Sequence, residues 1–350
     1  MLPEVTIRHI NKAIRQCRTF ALALPPGCEE PLWFEDGLCY NASPEGRLTD
    51  KQYSFEISPW LGRFNDRGII GKKKIQEVML VQRQSTSKDE YLEAVGNVIK
   101  SCSERYGKTV YSRIICSDLI ENPMERWGEL ANVFFEQFPL TFRYVFYTPE
   151  TKGWMGATPE LLLDFDKTTG EFHTVAFAGT RKSGSSESWD AKNVHENRIV
   201  LDYIIAELKN MGIDATASDL FTINYGAIEH LCSHITGSTR VASLPEIIDA
   251  INPTPALCGF PKLSAIDDIR RYERHDRYCY GGFIAVNEPN RYRAFVNLRC
   301  LHFDEVGYSI YGGGGIMPES NPYSEFEETE AKTSLLCGLL EKISAKKHIV

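Results

Sequence analysis

The sequence predicts an α+β fold with mainly antiparallel sheets flanked by helices. Strand-like runs follow one another directly instead of alternating with helices, and helical periodicity is confined to a few separate segments. No linker-like stretch or internal repeat divides the 350 residues.

From the amino terminus, Pro25-Pro26-Gly27, Asn41-Ala42-Ser43-Pro44 and Ser58-Pro59 break up short apolar runs such as Leu32 to Phe34. Residues 1–87 are therefore expected to be an irregular amino-terminal portion of the same domain. Lys72-Lys73-Lys74 reads as a solvated basic loop or an anion site. Order begins at Ser87-Lys88-Asp89-Glu90, which has capping-box spacing, and Leu92, Val95, Ile99 and Cys102 recur at helical intervals until Gly107 ends the helix. A strand rich in β-branched and aromatic residues follows over Lys108 to Cys116. Further strands are expected over 143–148, 161–165, 172–178, 280–286, 293–303 and 308–312, and further helices over about 190–211, 245–251, 262–272 and 322–343.

Composition narrows the function classes. The chain is 43% hydrophobic and 25% charged, and no apolar run approaches the roughly 20 residues of a membrane helix. Met1 to Cys17 interleaves Arg8, His9, Lys12 and Arg15 with single apolar residues, which is no signal-peptide pattern, so a cytoplasmic location is expected. Ten scattered cysteines form no CxxC pair, and most of them read as small buried apolar residues. A net charge of −8 without clustered Lys and Arg speaks against nucleic acid. It leaves room for an anionic small molecule, whose charge a metal ion and a few placed cations would meet.

Several side chains are candidates for chemistry. The last expected helix carries Glu325, Glu328 and Lys332 at i, i+3 and i+7 on one face. That face is either a solvated acidic stripe or a pair of oxygen ligands for a hard cation such as Mg²⁺. Glu196, ahead of Ile199, Val200, Ile204 and Ile205, is a surface charge or a further carboxylate for that cation. The run from Gly312 to Gly315 is a flexible turn or a backbone cradle for an anion. Arg299, within an expected strand, needs an anionic partner if it points inward. Glu160 stands where Gly156-Ala157-Thr158-Pro159 leads into the apolar run Leu161 to Leu163, and a carboxyl among apolar neighbours can donate a proton. Lys108, opening its strand, is the complementary base if desolvated, although either residue alone also reads as a plain surface charge.

In this order the segments resemble the chorismate-utilising enzymes: isochorismate and salicylate synthases and the large subunits of anthranilate and aminodeoxychorismate synthases. The resemblance is carried by KTVYSR (108–113), GATPELLL (156–163), AFAGT (176–180), HENRIV (195–200), EHL (229–231), PTPALCGFP (253–261), ERHDRYCYGG (273–282), NLRC (297–300), YGGGGIMPES (311–320) and SEFEETEAK (324–332). It implies a single large α+β domain of two similar halves, with the active site between them and a chorismate-binding catalytic portion over 88–345.

Residue by residue, the resemblance implies Lys108 as the general base that activates water and Glu160 as the general acid at the departing hydroxyl. It implies Glu196 and Glu325 as Mg²⁺ carboxylates with Glu328 nearby. Arg299, the Gly313 and Gly315 amides and the region of Thr254 and Ala256 are implied contacts to substrate carboxylates, and Gly179, Thr180, His230 and Lys332 are implied members of the pocket. Ammonia-using relatives typically lack the lysine seen as Lys108, and aminodeoxychorismate synthases commonly have a nucleophilic lysine where Ala178 stands. The combination points to an isochorismate synthase that adds water at C2 of chorismate and expels the C4 hydroxyl, for menaquinone or siderophore synthesis. A salicylate synthase is the alternative; an ammonia-using large subunit or a non-catalytic chorismate binder stands behind it. No glutaminase subunit is expected, and a monomer or weak dimer is. Departures are Asn193, where relatives often have an acid, Asn197, where they often have histidine, and the first 85 or so residues, which resemble nothing nameable.

Overall fold

The computed structural model describes residues 1–48, 52–74, 84–118, 126–225, 228–305 and 307–345. In chain order the elements are α1 (Glu4–Arg15), β1 (Phe20–Leu24), β2 (Leu32–Glu35), β3 (Leu38–Asn41), β4 (Ser54–Ser58), β5 (Gly68–Ile69), α2 (Lys88–Arg105), β6 (Lys108–Asp118) and α3 (Trp127–Gln137). There follow β7 (Phe142–Thr148), β8 (Lys152–Thr158), β9 (Leu161–Asp166), β10 (Glu171–Lys182), α4 (Ala191–Asn210), β11 (Ala215–Ala217), β12 (Phe221–Tyr225), β13 (Ile228–Ser238) and α5 (Leu244–Ile251). The chain ends with β14 (Gly259–Phe260), α6 (Lys262–Tyr272), β15 (Phe283–Asn287), β16 (Arg291–Val296), β17 (Cys300–Phe303), β18 (Gly307–Ile316) and α7 (Pro322–Ala345).

The strands form two nine-stranded sheets. One has the order β14-β6-β18-β17-β8-β7-β1-β2-β3; the other runs β11-β13-β10-β9-β16-β15-β4-β5, with β12 also on β13. The pairings between described strands are antiparallel, as the adjacent strand runs predict. The sheets face each other across a layer that includes Phe55, Phe142, Tyr144, Trp154, Phe295 and Tyr311, with the Phe142 and Phe295 rings stacked at 4.5 Å. Outside the first sheet, Ile10 and Ile14 of α1, Phe134 of α3 and Leu336 and Leu339 of α7 share one core. Outside the second, Val200 and Ile204 of α4 pack with Ile247 and Ile251 of α5. Among the described residues no helix is long and apolar enough to cross a membrane.

Four expectations are corrected. The stretch before residue 87 is not irregular: it supplies α1 and five strands, three in the first sheet and two in the second. Its strands are two to five residues long, too short for a period to emerge from among the turns. In α1, buried Asn11 accepts the Gly128 N–H at 2.8 Å and donates to Glu129 at 3.0 Å, so a polar residue holds a position where an apolar one would have signalled the helix. The expected capping box of α2 is present, but Tyr106 takes the left-handed backbone at its end, with φ 52. Gly107 is needed for space instead, since a Cβ there would stand 2.4 Å from the Phe260 carbonyl. Finally, the run 293–303 is two strands in different sheets, with Arg299 at the crossing rather than within a strand.

Arg277 shows how the loop before α6 is fixed to β6. It is 2% exposed, donates to the Leu257 carbonyl at 2.9 Å and the Val110 carbonyl at 2.7 Å, and pairs with Glu273 at 2.5 Å. Its guanidinium also lies 4.3 Å from the Trp60 ring centre. Replacing it leaves Glu273 buried without its main counter-ion. Arg277→Leu is therefore expected to cost about 3–5 kcal/mol, read as a lowered denaturant midpoint, whereas a change below 1 kcal/mol would mean that the pair contributes nothing net.

Candidate active site

Two chain crossings place the first site residues. β8 passes from the first sheet to β9 of the second through Pro159-Glu160, and β16 returns to β17 through residues 297–299. The crossings hold each other: the Val296 N–H donates to the Glu160 carbonyl at 3.0 Å and the Ala157 N–H to the Arg299 carbonyl at 3.2 Å. Fully buried Asn297 braces the second crossing, accepting from the Tyr144 hydroxyl and donating to the Cys279 carbonyl. Arg299 itself has φ 47, a strained backbone for a long side chain, which aims it into the seam between the sheets.

The charges at these crossings follow from burial. Glu160 is 3% exposed, and burial pushes its carboxyl up to about 8 against the pull of the Lys108, Lys332 and Arg299 charges. It is an acid that keeps its proton at neutral pH. Burial brings the Arg299 guanidinium down to about 10, still charged. Its contacts are the His230 ring, at 2.9 Å, and the face of Tyr225; among the described residues no carboxylate pairs with it. Burial and the Arg299 charge hold His230 well below its ordinary range, so the ring is neutral. Because Arg299 donates to Nε2, the ring proton belongs on Nδ1, from which it reaches Thr180 Oγ1 at 3.1 Å.

Helix α4 is fastened to the second sheet at a bulge. The β10–β13 register shifts between Phe177 and Thr180, with Gly179 at φ 85, where a Cβ would press on the Asn193 carbonyl at 3.0 Å. Asn193 accepts the Thr180 N–H at 2.9 Å, and buried Asn197 lies 3.1–3.3 Å from the carbonyls of Ala176, Ala178 and Leu231. Between them, Glu196 points at β18.

Strand β18 outruns its neighbour: β17 pairs only with Tyr308–Ile310, while β6 pairs as far as Ile316. Beyond Ile310, therefore, β18 has an edge that β17 does not cover. Lys332 donates to the Gly313 carbonyl at 2.9 Å. The N–H and C=O of a strand residue share one edge, so the Gly313 and Gly315 amides face away from β6. A Cβ on Gly315 would stand 2.3 Å from Glu196 and 2.7 Å from Lys108, and one on Gly314 would stand 3.2 Å from Glu325 and 3.7 Å from Glu328. The glycines thus make room for three carboxylates around one strand edge.

Each carboxylate holds a lysine. Lys108, with no exposed surface, is 2.9 Å from Glu196, a contact not aligned as a hydrogen bond; Lys192 is 2.5 Å from Glu325; and Lys332 is 2.7 Å from Glu328. Burial pushes Glu196 up, but Lys108 foremost, with Lys192 and Lys332, brings it below the ordinary range. Burial and the neighbouring Glu328 charge leave Glu325 raised, although Lys192 opposes them. Its Oε2 is buried without a hydrogen-bond partner among the described residues.

Of the residues singled out in the sequence, Glu160, Gly179, Thr180, Glu196, His230, Ala256, Arg299, Gly313, Gly315 and Lys332 line one cavity. Lys108 lies behind Gly315, and Glu325 and Glu328 stand at Gly314. Thr254 is not among the lining residues: it is 3% exposed, and its hydroxyl accepts the Ala256 N–H at 3.2 Å, which fixes the loop rather than reaching the cavity. Sequence reasoning missed Tyr225 beneath Arg299, the lining residue Tyr280, and Lys192. Lys192 did carry a signal, since it precedes Glu196 by four residues on the same helical face.

A family model described as chorismate binding enzyme matches residues 63–341. The isochorismate synthase MenF of Bacillus subtilis is 26% identical over 283 residues, covering 77% of this chain and 59% of that protein. EntC of Escherichia coli K12, also an isochorismate synthase, is 26% identical over 282 residues, 75% of this chain and 70% of the relative. With 59% of the first relative covered and 50% of its counterpart from Pasteurella multocida, the chain spans little more than half the length of such relatives. Two solved structures share the fold: the menaquinone-specific isochorismate synthase of E. coli (TM-score 0.75, 16% identity, 95% of this chain and 91% of that one) and anthranilate synthase component I of Streptococcus pneumoniae (TM-score 0.63, 15% identity, 91% and 92%).

The raised Glu160 makes stability depend on pH. Its folded value, about 8, lies above the ordinary 4.5, so the folded state binds the proton more tightly. The resulting stabilisation is complete below pH 4.5 and is lost as pH rises to about 8. Relative to Glu160→Gln, the protein is expected to lose up to about 1.4 kcal/mol per pH unit across that window, measured by denaturation at a series of pH values. A constant difference between the two would show that Glu160 titrates normally.

Proposed function

The chain belongs to the chorismate-binding enzymes, and from that membership we propose that it is an isochorismate synthase, which adds water at C2 of chorismate and expels the C4 hydroxyl. The observation that carries this reading is a buried acid, Glu160, raised so that it keeps its proton at neutral pH, in the same cavity as Arg299, a half-buried cation that pairs with no carboxylate among the described residues. Chorismate has two carboxylates. Arg299, steadied by neutral His230, suits one; the Gly313 and Gly315 amides and Lys332 suit the other.

The reaction needs a base and an acid at different ring carbons. Lys108, which at this step must have given up the proton that pairs it with Glu196, takes a proton from water while the water oxygen bonds to C2. The ring double bond shifts, and Glu160 gives its proton to the C4 hydroxyl, which leaves as water. Lys108 is suited to this because it is wholly buried and stands beside Glu196, directly behind Gly315 of the cavity lining. Water rather than ammonia as nucleophile removes any need for a glutaminase subunit.

Magnesium fits the donor set. Among the described residues no group of three or more His, Cys, Asp or Glu encloses a metal by itself. A hard cation shared with a substrate needs only one or two protein carboxylates, however, and Glu325 Oε2 is a buried oxygen without a hydrogen-bond partner among the described residues. Glu196 and Glu325 would hold it, with Glu328 nearby, and when bound it supplies positive charge to a substrate carboxylate.

Incubation with chorismate and Mg²⁺ followed by chromatography is expected to yield isochorismate. Accumulation of salicylate and pyruvate would favour the salicylate synthase alternative, and unaltered chorismate would leave only a binder. Glu160→Gln is expected to lower kcat by roughly 10²–10⁴-fold while sparing chorismate binding. In the wild type, kcat/KM should fall on the alkaline side near pH 8, where Glu160 loses its proton.

A further inference from the structure

Of the three lysines paired with site carboxylates, two are fixed. Lys108 has no exposed surface, and Lys332 is tied to the Gly313 carbonyl. Lys192 is different. It stands in the first turn of α4, one turn before Glu196, with a quarter of its side chain exposed and its ammonium 2.5 Å from Glu325 Oε1. Burial pushes this ammonium down, but Glu325 first, then Glu196 and Glu328, outweigh it and hold the group above the usual lysine range. One ammonium is therefore drawn by all three carboxylates proposed for the metal.

Glu325 has few ways to keep its charge. It is 2% exposed, its Oε1 takes Lys192 and the Ser320 hydroxyl at 2.7 Å, and its Oε2 has no hydrogen-bond partner among the described residues. A carboxylate so buried needs a cation close by, and an ammonium and a divalent ion cannot both crowd the same oxygens without strong repulsion. A lysine with a flexible four-carbon stem and an exposed flank is able to leave.

We propose that Lys192 is the internal counter-ion of the cation site: it neutralises Glu325 while no metal is bound and swings away when a divalent cation binds, so that it sets the metal affinity from within the chain. This rests on the reading of Glu196 and Glu325 as metal carboxylates. Two consequences separate it from a merely structural ion pair. Removing the lysine charge tightens metal binding, because nothing has to be displaced, and the metal-free protein loses stability that added metal restores. A structural pair would cost stability without any gain in affinity.

The test uses the full chain and Mn²⁺ alone, with free Mn²⁺ read by electron paramagnetic resonance and thermal midpoints recorded with and without the ion. Lys192→Met is expected to bind Mn²⁺ at least about tenfold more tightly than the wild type, with a lowered metal-free midpoint that Mn²⁺ restores. Lys192→Gln, which keeps a polar group in place if the methionine variant folds poorly, is expected to tighten binding in the same direction. Lys192→Arg, which keeps the charge, is expected to bind no more tightly than the wild type. Equal or weaker Mn²⁺ binding by both neutral variants, with binding still abolished by Glu325→Gln, would overturn the counter-ion role and leave the metal reading standing. Wild-type Mn²⁺ affinity in Glu325→Gln would overturn both.

Discussion

The contact on which the rest of the site depends is the buried ion pair between Lys108 and Glu196. Lys108 belongs to β6 of the first sheet, and Glu196 to the helix packed on β10 of the second, so the pair spans the seam between the halves of the domain. Leaving either charge buried and unpaired would cost about 3–5 kcal/mol. Several otherwise separate features follow from keeping the pair together. Gly315 cannot carry a side chain because the pair occupies that space, and Asn197 binds three carbonyls so that α4 presents the residue before it toward β18.

The same seam holds two glutamates in opposite proton states. Both are buried, and burial alone would protonate both. Glu196 has a lysine 2.9 Å away and stays ionised, whereas Glu160 feels three cations without pairing closely to any, and burial prevails. This division lets one carboxyl serve as a charge and the other as a proton donor at the same pH. Arg299 completes the asymmetry as a cation whose nearest polar partner is a neutral imidazole, which leaves it open to an external carboxylate.

Much of this was legible in the sequence where a residue type had to match a periodic element. The capping box at Ser87, the β-branched run from Lys108 and the helical spacing of Glu325 and Glu328 announced their elements. Most of what escaped had no local signature. The first five strands are too short to show alternation. Arg299 sits in a run, 293–303, whose composition is that of one continuous strand, and only the packing of two sheets makes the chain cross at Asn297. Thr254 belongs to a segment that resembles a substrate loop, and its hydroxyl accepts the Ala256 N–H within that loop. Lys192 shows in the sequence only its spacing to Glu196, and its partner Glu325 reaches it from α7, far along the chain.

The central claim is that Lys108 delivers a water molecule to C2 while Glu160 releases the hydroxyl at C4. Turnover in ¹⁸O-enriched water with mass analysis of the isochorismate formed tests it most directly. The account predicts one solvent-derived oxygen, at the C2 hydroxyl, in each product molecule. Isochorismate without solvent oxygen would mean that the hydroxyl migrates within the substrate, and the assignment of Lys108 as the base that activates water would be wrong.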